Sequence, residues 1–205
     1  MEDDNKIIEE FKSINIEDQN KIKQYLQKYP FLANHSLHII KHYGNKDLGL
    51  FASYITNLIT DNNVLHEVFG IALINTFTDV LINILQSGIY PDNIKIDNKY
   101  IKSLDYAVET ENIELIKILI HYGYYTPRLN NEIFNLALQH DDLGILQLLL
   151  EHNYEISNSE FKQAIKMSAK QIVNYMLSSG RKFDISNVVI PDNMIPVINK
   201  YYVIQ

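Results

Sequence analysis

His35, His38 and His42 crowd into the stretch HSLHIIKH. His38 and His42 stand four apart, so one helix face would carry both imidazoles, a spacing that zinc ligands use. The chain has no cysteine, hence no thiolate to complete a set, and no carboxylate lies at an obvious ligand spacing. His66–Glu67 opens a His-Glu pair, but position 70 is Gly, so the metalloprotease helix spacing fails and His66 reads as a helix-start residue. Asp3–Asp4 and Asp141–Asp142 are paired carboxylates, the raw material of general acid–base chemistry. Both pairs also fall where helices begin, and capping accounts for them. With 7 Gly in 205 residues there is no glycine-rich phosphate loop, and no Ser lies in a nucleophile elbow. No catalytic, cofactor-binding or metal-ligating set is therefore expected. An enzyme on this chain, metal-dependent or not, would need two or more convergent titratable groups in one pocket.

The elements that must position these residues repeat. With alanine as anchor, Ala72 to Gly88, Ala107 to Gly123, Ala137 to Asn153 and Ala164 to Gly180 are each 16 residues apart. Three before each anchor stands a large apolar residue: Phe69, Leu104, Phe134, Phe161. Nine after it come Leu81, Ile116, Leu146 and Val173; twelve and thirteen after it come Ile84–Leu85, Leu119–Ile120, Leu149–Leu150 and Met176–Leu177. Residues three and four apart share a helix face, so each unit is predicted to be a helix–turn–helix. Its polar break lies at 75–79, 110–112, 140–142 or 167–170. Asp79, Glu111 and Asp142 lie near the second helix start, where a negative side chain suits the helix dipole. Gly88, Gly123, Asn153 and Gly180 fall where a helix ends in a left-handed residue. The anchor is small because two helices approach closely there.

The pattern resembles the ankyrin repeat: a Leu-His-x-Ala start, a short turn, a Val-x-x-Leu-Leu helix and a closing Gly. Leu37 to Gly44, LHIIKHYG, resembles a divergent fifth copy with Ile40 as anchor and a second helix that fits with a one-residue slip through Leu48 and Phe51. Anchor spacings run 32, 35, 30 and 27, around the family period of about 33. The Thr-Pro before the first helix is missing throughout. The link from Asn153 to Phe161 has room only for a tight turn, and one long link, through Pro91, Asp92 and Asn93 to Leu104, could hold a projecting finger. The resemblance implies an all-α, ankyrin-like helix–turn–helix solenoid of four to five repeats with shortened inter-repeat loops. Residues 35–183 form the repeats, 1–34 N-terminal capping helices and 184–205 a C-terminal cap. Ile7, Ile8 and Phe11, then Ile22, Tyr25 and Leu26, give the first cap its apolar faces, and Tyr29–Pro30 stops its second helix. Met194, Val197 and Ile198 would close the far end, as solenoids require.

In ankyrin arrays the inter-unit loops and the exposed faces of the first helices form the concave binding surface. On this chain those places hold Tyr106, Glu109, Tyr124, Tyr125, Arg128, Gln139, His140, Tyr154, Gln163 and Lys166, the candidate protein-binding residues. Tyr and Arg are enriched in interface hot spots, although with 14 Tyr in the chain the tyrosines can equally pack the turns. Ile94–Lys95–Ile96 on the long link is a further candidate, alternating and hairpin-like. A net charge of −7 with no basic stripe disfavours nucleic acid and mildly favours a protein partner with a basic face. The start, MEDDNKIIEE, lacks signal-peptide order, and no apolar run reaches the length of a membrane span, so a cytoplasmic chain is expected. Degenerate repeats in a cysteine-free chain biased to Ile, Asn, Lys and Tyr resemble those of large DNA viruses and amoebal organisms. The implied role is a non-catalytic scaffold or host-interaction adaptor in the host cytoplasm, a monomer or weak homo-oligomer without cofactor. A self-assembling structural protein is the first alternative, and a metal-dependent helical enzyme the second.

Overall fold

The computed structural model describes residues 4–44, 49–96 and 99–202, and it is mostly helical. The four alanine anchors occupy equivalent places. Ala72, Ala107, Ala137 and Ala164 are all fully buried. Each anchor carbonyl accepts the N–H five residues on, from Phe77 at 2.8 Å, Asn112 at 2.9 Å, Asp142 at 2.8 Å and Ala169 at 3.1 Å. The residue four past the anchor is left-handed: Thr76 at φ 61°, Glu111 at 52°, Asp141 at 48° and Ser168 at 59°. This six-to-one bond around a left-handed residue is the Schellman closure of a helix, and it turns the chain into the second helix. Gly88, Gly123, Asn153 and Gly180 repeat the left-handed step 16 residues past each anchor, with φ of 84°, 91°, 62° and 77°. After the first three, the N–H groups of Ile89, Tyr124 and Tyr154 return to the carbonyls of Ile84, Leu119 and Leu149. Four hairpins are thus built alike at the level of individual bonds.

The chain divides into two compact units, Met1–Ser103 and Leu104–Gln205. The first opens with α1 (Asp4–Lys12) and α2 (Gln19–Lys28), whose apolar residues Ile7, Phe11, Ile22 and Leu26 are buried. Tyr29–Pro30 does stop α2, and a 3₁₀ turn, Pro30–His35, leads on. Then come α3 (Leu37–Gly44), α4 (Gly49–Thr56), α5 (Asn62–Asn75) and α6 (Thr78–Gln86). α3 packs on α5, and α4 packs on α6, where Asn83 and Ser53 are hydrogen-bonded. Ile40, the proposed fifth anchor, is fully buried. Ala52, twelve residues after it, is buried together with Phe51; Leu48 lies outside the described residues. Asn34 joins the turns: its Oδ1 accepts the N–H groups of Thr60 at 3.1 Å and Asp61 at 3.3 Å.

The long link departs from an all-helical chain. It carries a two-stranded antiparallel sheet, β1 (Asn93–Ile96) and β2 (Lys99–Lys102), in the register Asn93↔Lys102, Ile94↔Ile101, Lys95↔Tyr100 and Ile96↔Lys99. β1 packs on α5, with Ile94 buried against Gly70. A Cβ at Gly70 would meet Ile94 at 3.8 Å, ordinary contact distance, so an alanine would fit there too and the approach of the strand does not require the glycine. The Ser103 hydroxyl ties the base of the link by donating to the Pro91 carbonyl at 2.8 Å.

The second unit holds three hairpins: α7 (Ser103–Glu109) with α8 (Ile113–His121), α9 (Asn130–His140) with α10 (Leu143–Glu151), and α11 (Asn158–Lys166) with α12 (Lys170–Ser178). α10 packs between α8 and α12. Asn112 and Asp142, five past their anchors, cap α8 and α10 by accepting the N–H groups of Leu115 at 3.1 Å and Ile145 at 3.0 Å. Of the acidic residues expected to serve those helix starts, Glu111 instead takes the left-handed turn position and Asn112 does the capping. Asp141 reaches further: its carboxylate accepts from Gln171 and Ile172 and so caps α12 of the next hairpin. A 3₁₀ turn, Asp192–Met194, and α13 (Ile195–Ile198) close this end on α12, with Met194 and Ile198 fully buried and Val197 half-buried.

Candidate protein-binding surface

His38 forms a hydrogen bond with the His35 backbone, so it braces its own turn, while its Nε2 is buried without a partner among the described residues. Burial holds its pKa below 6.5, and Lys12 pushes the same way against the His35 bond. His42 does not join His38. Its Nε2 lies 3.0 Å from Glu17, a carboxylate that sequence spacing did not reveal. Among the described residues no three His, Asp or Glu side chains converge as a metal cage. His66 is not at the helix start: Asp61 caps α5 at Asn62, and His66 lies inside, exposed. Asp142 meets Lys117, whose Nζ donates at 2.6 Å. Burial opposes the Asp142 charge, but Lys117 and the Ile145 and Gly144 N–H groups outweigh it and hold the carboxyl below its usual range. Asp3 lies outside the described residues.

The candidate binding residues separate into two kinds. Glu109, Gln139 and Lys166 each stand two past an anchor and are exposed, and His140 is exposed beside Gln139. Tyr106 and Gln163, each one before its anchor, are half-buried, and Gln163 donates to Asn135 on the neighbouring first helix at 2.6 Å. The loop residues are committed internally. The Tyr125 hydroxyl donates to Asn130 at 2.7 Å, and its ring lies 4.1 Å from that of His152. Tyr154 packs on Phe134 and donates to Glu160 at 3.2 Å; burial and then the Glu160 charge raise its pKa. Arg128 grips both oxygens of Asp105 at 2.6 Å. Tyr124 is half-buried at the same loop. These four pack and tie the inter-hairpin turns.

A groove in the first unit carries the features those loops lack. About 600 Å³ in volume, it runs between α5 and β1, lined by His66, Glu67, Gly70, Ile71 and Ile74 of α5, Asn93 to Lys95 of β1, Lys41 and Tyr100. Ile74 stands two past its anchor, the same register as Glu109, Gln139 and Lys166, yet it is apolar and 40% exposed. Tyr100 is 74% exposed. Lys41 and Lys95 make no ion pair among the described residues. The sequence offered only Ile94–Lys95–Ile96 as a signal here; the helix, strand and lysine meet through the fold.

No family model and no solved structure match the chain. An uncharacterised protein of Acanthamoeba polyphaga mimivirus is 34% identical over 89 residues. That stretch covers 43% of this chain and 28% of the mimivirus protein, so the similarity spans little more than a quarter of that relative. Among the described residues no helix is long and apolar enough to cross a membrane.

Proposed function

We propose that the chain is a non-catalytic, ankyrin-like scaffold that holds a partner protein on the exposed faces of its first helices, as an adaptor in the cytoplasm of a virus-infected host. One observation carries this reading. Four hairpins bury the same anchor and expose the side chain two residues further on, and that side chain differs each time: Ile74, Glu109, Gln139, Lys166. A constant frame that varies one exposed position gives each repeat a surface of its own. Similarity to a mimivirus protein supports a viral setting.

Affinity purification of the full chain from the host cell, quantified by mass spectrometry, tests it. A Glu109→Arg, Gln139→Arg, Lys166→Glu variant should release a partner that a control charge change at exposed Glu151 retains. If both variants retain the same proteins, the first-helix faces are not the binding surface. A chain that scatters light as a large homo-oligomer would favour the self-assembling alternative.

A further inference from the structure

We propose that the free edge of β1, with the exposed face of α5 beside it, receives an extended acidic segment of a partner protein, which joins the hairpin as a third strand. This deepens the scaffold reading and rests on it. The first support is geometric. β1 pairs with β2 on one side, and the two-stranded sheet carries no further strand among the described residues. Alternate side chains of a strand point to opposite faces. Asn93, Ile94 and Lys95 are consecutive, and all three line the groove, joined by Tyr100, which pairs with Lys95 across the hairpin. A strand edge carries a row of unpaired N–H and C=O groups that can template another chain.

The hairpin is also held firmly enough to act as a template. Ile94 is buried against Gly70, and the Ser103 N–H and hydroxyl fasten the base of the link to Asp92 and Pro91. Beside the edge, Ile71 and Ile74 offer an apolar floor and Tyr100 an exposed ring. β1 has four residues, enough for about 13 Å of a paired strand.

The charge of the groove selects the occupant. Lys41 and Lys95 oppose the single carboxylate of Glu67 in a chain whose net charge is −7. A locally positive groove in an acidic protein favours a ligand that brings carboxylates. Two lysines are too few for a nucleic-acid backbone, which asks for a basic stripe. A strand that alternates apolar and acidic residues satisfies the floor with one set of side chains and the lysines with the other.

Selection of random displayed dodecapeptides on the full-length chain tests the site. The enriched sequences should alternate Asp or Glu with β-branched or aromatic residues. A synthetic peptide of the winning sequence should slow amide exchange at residues 93–96. Methylating its alternate backbone nitrogens should abolish binding. Lys41→Glu with Lys95→Glu, both exposed positions, should weaken it by about tenfold or more while the thermal melt stays unchanged. Basic winners, undiminished binding of the methylated peptide, or no enrichment at all would overturn the proposal. Protection confined to α9 and α11 would also overturn it while leaving the scaffold reading standing. Free chain that dimerises through β1 in sedimentation would overturn it too, because the occupant is then a second copy.

Discussion

The hairpin α5–α6 and the hairpin α9–α10 share a backbone plan but differ in what they leave unsatisfied. Around α9–α10 several polar groups answer one another, as Lys117 serves Asp142, Asp141 caps α12 and Asn135 takes the Gln163 amide, while Gln139 and His140 stay exposed. In α5–α6 the equivalent surface ends in Ile74, with Tyr100 exposed beside it and Lys41 and Lys95 without ion pairs among the described residues. A repeat's interior therefore says little about what its surface leaves open. That is decided by side chains outside the buried repeating positions, and by which of them already have a neighbour to satisfy them.

The largest expected effect asks whether the two interiors are as alike as their bonds. Ile84 and Leu149 both stand twelve past an anchor and are buried. Truncating either to Ala should cost about 2–5 kcal/mol in urea unfolding, since each leaves a cavity between helices. Tolerance at one site alone would break the equivalence. Next comes the turn. Thr76 is β-branched at φ 61°, where its counterparts are Glu111, Asp141 and Ser168. Non-glycine residues cost about 1–2 kcal/mol in that region, so Thr76→Gly should stabilise the chain by up to about 1 kcal/mol in the same assay.

Acid should separate the regions by pH. His38 binds its proton less readily folded than unfolded, so its contribution is complete above 6.5 and fades as pH falls toward its lowered value. Asp142 is also depressed, and its contribution persists above the ordinary carboxylate value of 3.8, fading only as pH drops below that. Amide protection factors, taken relative to the intrinsic exchange rate at each pH, should therefore fall around α1 and α3 between neutral and mildly acidic pH, before α10 responds. His38→Gln should remove the early step, and Lys117→Met should reduce the late one. The smallest effect belongs to exposed Gln139, where Ala should change stability by less than about 0.5 kcal/mol.

Much of the frame was legible in the residues. Periodicity located the anchors, and Gly88, Gly123, Asn153 and Gly180 marked the helix ends because a left-handed residue favours those types. The left-handed positions four past each anchor carry Thr, Glu, Asp and Ser, so no glycine announced them. Tyr125 and Tyr154 looked like interface residues by type; in the fold their hydroxyls are spent on Asn130 and Glu160. The groove was hidden for a different reason. Lys41, Ile74 and Tyr100 are far apart in the chain and share no period, and only tertiary packing brings them together.

Because the first three hairpins close the C-terminal ends of both of their helices with their own carbonyls, the joints that follow them need not supply those bonds. Residues can be gained or lost at the joints without loosening a fold module. Such a chain can lengthen one joint into a strand pair and shrink another to a tight bend, trying out new surfaces while the modules persist. The joint after α6 holds the two-stranded sheet, whereas the joint from α10 to α11 is a short turn.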